Sequence, residues 1–215
     1  MGEQVSYLTF MKHAQKVTKS ANNSRPVLKT VYHSDKHVAV TDSHRLYVAT
    51  GVYDGEEKTI NPETGVEEEH GKYPDIGRLL IDDNSVKYTQ EIDVNAVYDT
   101  VRAIEIANRV TRKTTDLVVG INDEEIVVST SEYAGFSVKL PNERDGEKEL
   151  YPTLLETKYL REALHVLRDV KIVKATFKYV GKNRPVEIAA GNFNAVIMPK
   201  RLPEEIYSGR VITNN

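Results

Sequence analysis

A chain of 215 residues without a cysteine can carry no disulfide framework, no thiol catalysis and no cysteine-ligated zinc, yet it is long enough to bury a sizeable core. Hydrophobic residues make up 40% and charged ones 28%, the balance of an ordinary globular protein and not of a disordered or fibrous one. The formal net charge of -3 excludes a generally basic surface, so any contact with nucleic acid has to come from how the charges are distributed.

The order of elements repeats along the chain. The first unit reads as a strand "QVSYL", a helix "TFMKHAQKVTKSA", then strands "PVLKTVYHS" and "HVAVTDSHRLYVATGVY". A long acid-, Gly- and Pro-rich stretch, "DGEEKTINPETGVEEEHGKYPDIGRLLIDDNS", reads as a hairpin tip or loop followed by a linker, with the domain boundary between Pro74 and Asn84. The second unit runs from "SVKYTQEID" through the helix "VNAVYDTVRAIEIANRV" to "DLVVGIN", "EIVVSTSE" and "GFSVKLP". The third runs from "EKELYPTLLE" through "TKYLREALHVLRD" to "VKIVKATFKYV", "RPVEIAAG" and "FNAVIMPKRL". Each unit is therefore β-α-β-β-β. "HSDKH", "NDEE", "YAG", "GKNRP" and "GNFN" supply the turn chemistry of hairpins, so the strands run antiparallel. Such units predict an α+β fold in two layers, with the helices on one side of the sheets.

Charge is patterned on the helices. Lys12, Lys16 and Lys19 share one face of the first, opposite Met11, Ala14 and Val17. The second offers Arg102 and Arg109, with Arg112 and Lys113 at its end, against Val97, Val101 and Ile104. In the third, Arg161, His165 and Arg168 run beside Leu160, Ala163, Leu164 and Leu167. Two readings stand side by side: solvated faces built from good helix formers, or a common face that touches DNA phosphates without reading bases.

Chemistry-bearing motifs are few. "VTDSHRLYVAT" sets Asp42, Ser43 and His44 side by side, but a Ser/His/Asp site needs convergence from distant segments. Read as one strand, it puts Asp42 and His44 on one face and Ser43 on the other. No Gly-x-Ser-x-Gly elbow and no phosphate-binding Gly-rich loop occur. His33 and His37 have a spacing seen in metal sites, but they flank a hairpin turn with no third ligand close by, and we read them as two exposed imidazoles. Asp82-Asp83 and Glu67-Glu68-Glu69 read as solvated acid clusters. We expect no enzyme, no cofactor and no metal. No apolar run reaches the length of a membrane span, and "MGEQVSYLTF" lacks the features of a secretory signal. Met1-Gly2 with Ser6 superficially fits a myristoylation start, but attachment would need a second signal. The expectation is a cytoplasmic protein with no membrane partner.

"SRPVLKTV", "VTDSHRLYVA", "GKYPDIGRLLI" and "NAVIMPKRL" resemble, in this order, segments of the bacterial DNA polymerase III beta subunit, the sliding-clamp family. The resemblance implies a clamp fold of repeated β-α-β-β-β units, antiparallel sheets outside and helices on one side. Residues 1–73 would match the first half of the family's middle domain, 74–84 a linker, 85–203 the last domain, and 204–215 a tail beyond the family's usual end. It implies a pocket for short client motifs. Leu28, Thr41, Ser43, His44, Arg45 and Leu46 would form one wall, with Pro74, Arg78 and Leu79 from the linker. Val196, Met198, Pro199, Arg201 and Leu202 would form the other. In the tail, Ile206 and Tyr207 could compete with clients for that pocket.

The implied function is a shortened sliding clamp, a DNA replication processivity factor that encircles double-stranded DNA without sequence specificity. Its partners would be a DNA polymerase, other clamp-binding-motif proteins and a clamp loader, and it would assemble as an even-numbered homo-oligomeric ring, a tetramer above all. The alternative is a clamp-derived adaptor or decoy that binds client motifs without encircling DNA.

Overall fold

A computed structural model describes residues 4–111, 116–121, 125–130, 137–141, 144–146 and 153–201. Arg112, Lys113, Leu202 and the tail lie outside the described residues. Helix α1 spans Tyr7–Ser20, and β1 (Val31–His33), β2 (His37–Thr41), β3 (Arg45–Thr50) and β4 (Lys58–Ile60) follow it. The stretch that leads to the second unit holds a one-turn helix, α2 (Ile76–Leu79). Next come β5 (Tyr88–Asp93), α3 (Val94–Thr111), β6 (Asp116–Ile121), β7 (Glu125–Thr130), β8 (Ser137–Pro141) and β9 (Arg144–Gly146). The last unit holds β10 (Thr153–Glu156), α4 (Thr157–Asp169), β11 (Lys174–Tyr179), β12 (Val186–Ala190) and β13 (Phe193–Ile197).

All described pairings are antiparallel. A nine-stranded sheet runs in the order β4-β1-β2-β3-β13-β12-β11-β5-β9, and a four-stranded sheet in the order β10-β6-β7-β8. The second and third units exchange their leading strands, β5 pairing with β11 and β10 with β6, so each completes the other's sheet. The first unit is tied on differently, through β3 against β13, with Leu46 opposite Val196 and Arg45 opposite Ile197.

Strand alternation splits this seam into two cores. Tyr47 and Ala49 of β3 and Phe193, Ala195 and Ile197 of β13 face the main core, where α1, α3 and α4 lay down Phe10, Ala14, Val17, Val101, Ile104, Leu160, Leu164 and Leu167. Leu46, Val48 and Val196 face the other way, into a smaller core closed by Leu28, Tyr73 and Ile76. Loop 73–76 is thereby held against the outer face of the sheet, and Tyr73 fixes it by accepting from Thr41 N at 3.2 Å and donating to Thr30 O at 3.3 Å.

Four expectations are corrected. "QVSYL" is not a strand among the described residues: the Ser6 side chain accepts from Thr9 N and caps α1, which takes Tyr7 and Leu8 into the helix. Asn192 meets the segment instead, accepting from Val5 N and donating to Val5 O, each at 3.0 Å. "VTDSHRLYVAT" is not one strand either. β2 ends at Thr41, and the Asp42 carboxylate accepts from the backbone N–H groups of His44 and Arg45 at 3.0 Å to make a turn. Ser43 at its tip has φ 79°, in the left-handed region. Finally, His33 is buried, because alternation turns it inward; its Nδ1–H donates to Val31 O and its Nε2 accepts from Tyr7 Oη, both at 3.0 Å. "PVLKTVYHS" also divides, into a 3-10 turn at Pro26–Lys29 and β1.

Candidate peptide-binding pocket and helix face

A cavity of about 210 Å³, open to solvent, lies on the outer face of the sheet at the β3–β13 seam. Its floor is Leu28, Leu46 and Val196, and Leu79 and Met198, 41% and 45% exposed, stand at its sides. Thr41, Ser43, Arg25 and Pro74 complete the rim. The floor is an extension of the small core left without a covering element, which is how a sheet face offers an anchor site to an apolar side chain. The seam fixes its width: Met198 N donates to His44 O at 2.8 Å, extending the pairing one step beyond β13.

Nine of the fourteen pocket residues expected from sequence line this cavity: Leu28, Thr41, Ser43, Arg45, Leu46, Pro74, Leu79, Val196 and Met198. The Arg45 guanidinium cannot orient a peptide, because alternation sends it to the helix side. There it bonds the Glu162 carboxylate, lies 3.1 Å from Asp42 Oδ2 and stacks 4.6 Å over the Tyr159 ring. Burial alone would lower its pKa, but Tyr47, Asp42 and Glu162 outweigh that and hold it up. Outside the lining, His44 is exposed and stacks on Tyr159 with ring centroids 6.1 Å apart. Arg78 points to solvent beside Asp75 at 3.3 Å, and Pro199 and Arg201 follow Met198 beyond the cavity. Sequence reasoning missed Arg25. It sits in an irregular loop with no periodicity, and its Nη1 donates to Ser43 Oγ at 2.9 Å across the rim.

On the other side of the sheet, α4 packs between α1 and α3. The structure gathers the expected cations there, but pairs most of them with acids. Lys12 lies 2.7 Å from Asp169, Lys19 2.7 Å from Glu63, Arg168 3.0 Å from Asp99, and Glu105 serves both Arg109 at 3.0 Å and Arg161 at 2.7 Å. Arg102 is exposed. Lys16 Nζ donates to His165 Nδ1 at 3.2 Å, and burial pulls both of their pKa values down. His13, 2% exposed, donates from Nε2 to Asp169 at 2.8 Å; burial lowers its pKa to about 4 and keeps the imidazole neutral. The three helices therefore differ in character: α1 carries lysines and no acid, whereas α3 and α4 balance most of theirs. Among the described residues no group of three or more His, Asp or Glu side chains could hold a metal ion, and no helix is long and apolar enough to cross a membrane.

Units of one helix on antiparallel strands, paired by exchanged leading strands with their helices on a common face, define a DNA-clamp fold. The particular fold is that of bacterial DNA polymerase III beta subunits. The chain matches the subunit from Borrelia burgdorferi, solved in complex with a natural product, at a TM-score of 0.72 and 18% identity over 93% of this chain. The Bacillus subtilis DNA polymerase sliding clamp matches at 0.72 and 16% over 94%. The Helicobacter pylori beta clamp, bound to a DNA ligase peptide, matches at 0.70 and 15% over 93%. The chain spans 64% of the length of the first two and 65% of the third. No family model matches the sequence, and no curated protein matches it significantly.

Proposed function

We propose that the chain is a sliding clamp, a non-enzymatic processivity factor that encloses duplex DNA irrespective of sequence and tethers a DNA polymerase and other replication proteins through the β3–β13 pocket. In this reading residues 1–73 form a half-domain, 74–84 the linker and 85–203 the domain next to it. Two half-domains from different chains would pair into a composite domain, covering the β4 edge of the nine-stranded sheet and giving an even-numbered ring, a tetramer above all, opened by a clamp loader. The observation that carries the proposal is the pocket: distant segments 25–28, 41–46, 74–79 and 196–198 meet there around an uncovered apolar floor.

A second reading, an adaptor that binds client motifs without encircling DNA, is favoured by one observation, the pairing of Arg109, Arg161 and Arg168 with acids on the helix face. Both readings share the pocket, which a peptide titration tests. A short peptide with a Leu-Phe anchor should bind, and Met198→Ala should weaken it by about 1 kcal/mol or more, because a few central apolar contacts carry most of a small interface. Met198 is 45% exposed, so the thermal midpoint of the variant should stay close to that of the parent. A peptide that does not bind, or binds the variant equally well, removes the pocket from both readings.

A further inference from the structure

One guanidinium, that of Arg25, stands at the rim of the pocket, and none of the described residues lining it is acidic. Arg78, on α2 next to Leu79, lies outside the lining and is 88% exposed beside Asp75. The nearby carboxylates are already engaged. Asp42, fully buried, faces Arg45 and the turn backbone, and Asp75 faces Arg78. An incoming anion therefore meets attraction without a facing acid.

Arg25 is also free to respond. Its observed partner is the Ser43 hydroxyl at 2.9 Å, a neutral acceptor that occupies one of five guanidinium donors. A carboxylate is the stronger acceptor and can take two of those donors at once. Releasing Ser43 would not loosen the rim, because its backbone is set by the turn: Ser43 N donates to Thr41 Oγ1 at 3.2 Å, and Asp42 holds the two residues that follow.

We propose that the pocket selects an acidic peptide segment of a partner protein, its apolar anchor seated against Leu46, Leu79 and Met198 and a flanking carboxylate taken by Arg25 in exchange for Ser43. This rests on the reading of the cavity as a peptide site and adds the chemistry of the peptide and the residue that reads it.

The test uses the full chain and two peptides with one Leu-Phe anchor, flanked by Glu in the first and by Gln in the second. At low salt the Glu peptide should bind about threefold to tenfold more tightly, the range of an exposed but charge-assisted pair. That advantage should shrink as salt is added, vanish in Arg25→Ala and largely survive in Arg25→Lys. Arg25 is exposed, and unchanged thermal unfolding of the variants would confirm that only the site was altered. Equal affinity of the parent for both peptides overturns the inference while leaving the pocket intact; no binding by either removes the pocket too. If Ile206→Ala with Tyr207→Ala makes the full chain bind the Glu peptide more tightly, the occupant is this chain's own acidic and apolar segment 204–207, and the assignment to a partner fails.

Discussion

Replacing Glu162 with alanine should destabilise the folded chain by about 3–5 kcal/mol, the cost of leaving a buried charge without its partner. Arg45 is 1% exposed and Glu162 6%. The guanidinium joins three elements: it bonds Glu162 of α4, reaches Lys16 O and Ser20 Oγ of α1 at 3.3 and 3.4 Å, and belongs itself to β3. Among the described residues Asp42 alone would remain as a carboxylate partner. Urea unfolding at neutral pH reads the loss directly, and Arg45→Met with Glu162→Leu and Asp42→Asn, which removes all three buried charges while keeping an acceptor for the turn, should recover most of it. A single variant within about 1 kcal/mol of the parent would mean that the pair does not hold β3 to the helices.

Acid should act through the junction between α1 and α4. The folded pKa of His13, lowered by burial to about 4, lies below its ordinary 6.5, so the unfolded chain takes up a proton that the folded one refuses. Stability is then greatest above pH 6.5 and falls by about 3 kcal/mol as the pH drops to about 4. Asp169 extends the loss. Burial pushes its pKa up, but its bonds to Lys12 and His13 outweigh this and bring it from 3.8 to about 2, so its contribution disappears as the pH falls through that range. Unfolding free energies measured at pH 7 and pH 4.5 should fall clearly in the parent and much less in His13→Gln. Equal losses in the two chains would assign the acid sensitivity to other groups.

The sequence was most informative where periodicity alone decides structure. The faces of α1, α3 and α4 follow from helical spacing of apolar residues, and α4 begins and ends where "TKYLREALHVLRD" does. It misled where a local side-chain bond overrides the period. Ser6 turns an alternating stretch into a cap, and Asp42 breaks an apparent long strand into a turn. The second effect matters for the pocket, because the turn and the alternation of β3 together put Arg45 under the helices and Leu46 in the floor. Adjacent residues of one motif thus serve opposite faces of the sheet. Arg25 was illegible for another reason: its place on the rim depends on an irregular loop meeting Ser43 across 18 positions of sequence. Spacing alone shows Glu105 one turn before Arg109 on α3, but not that Arg161 and Arg168 of α4 find acids, since Glu105 and Asp99 meet them only when the helices pack.

The claim that the chain works as a clamp is tested most directly by topology. A labelled full-length chain is incubated with nicked circular duplex, separated from free protein by gel filtration, and followed before and after one cut linearises the DNA. A closed ring cannot leave a circle but slides from an end, so the label should travel with the circular DNA at moderate salt and be lost on cutting, whatever the DNA sequence. Label that never associates with the circle, or that stays equally on circular and linear DNA, would contradict encirclement and leave the adaptor reading in its place.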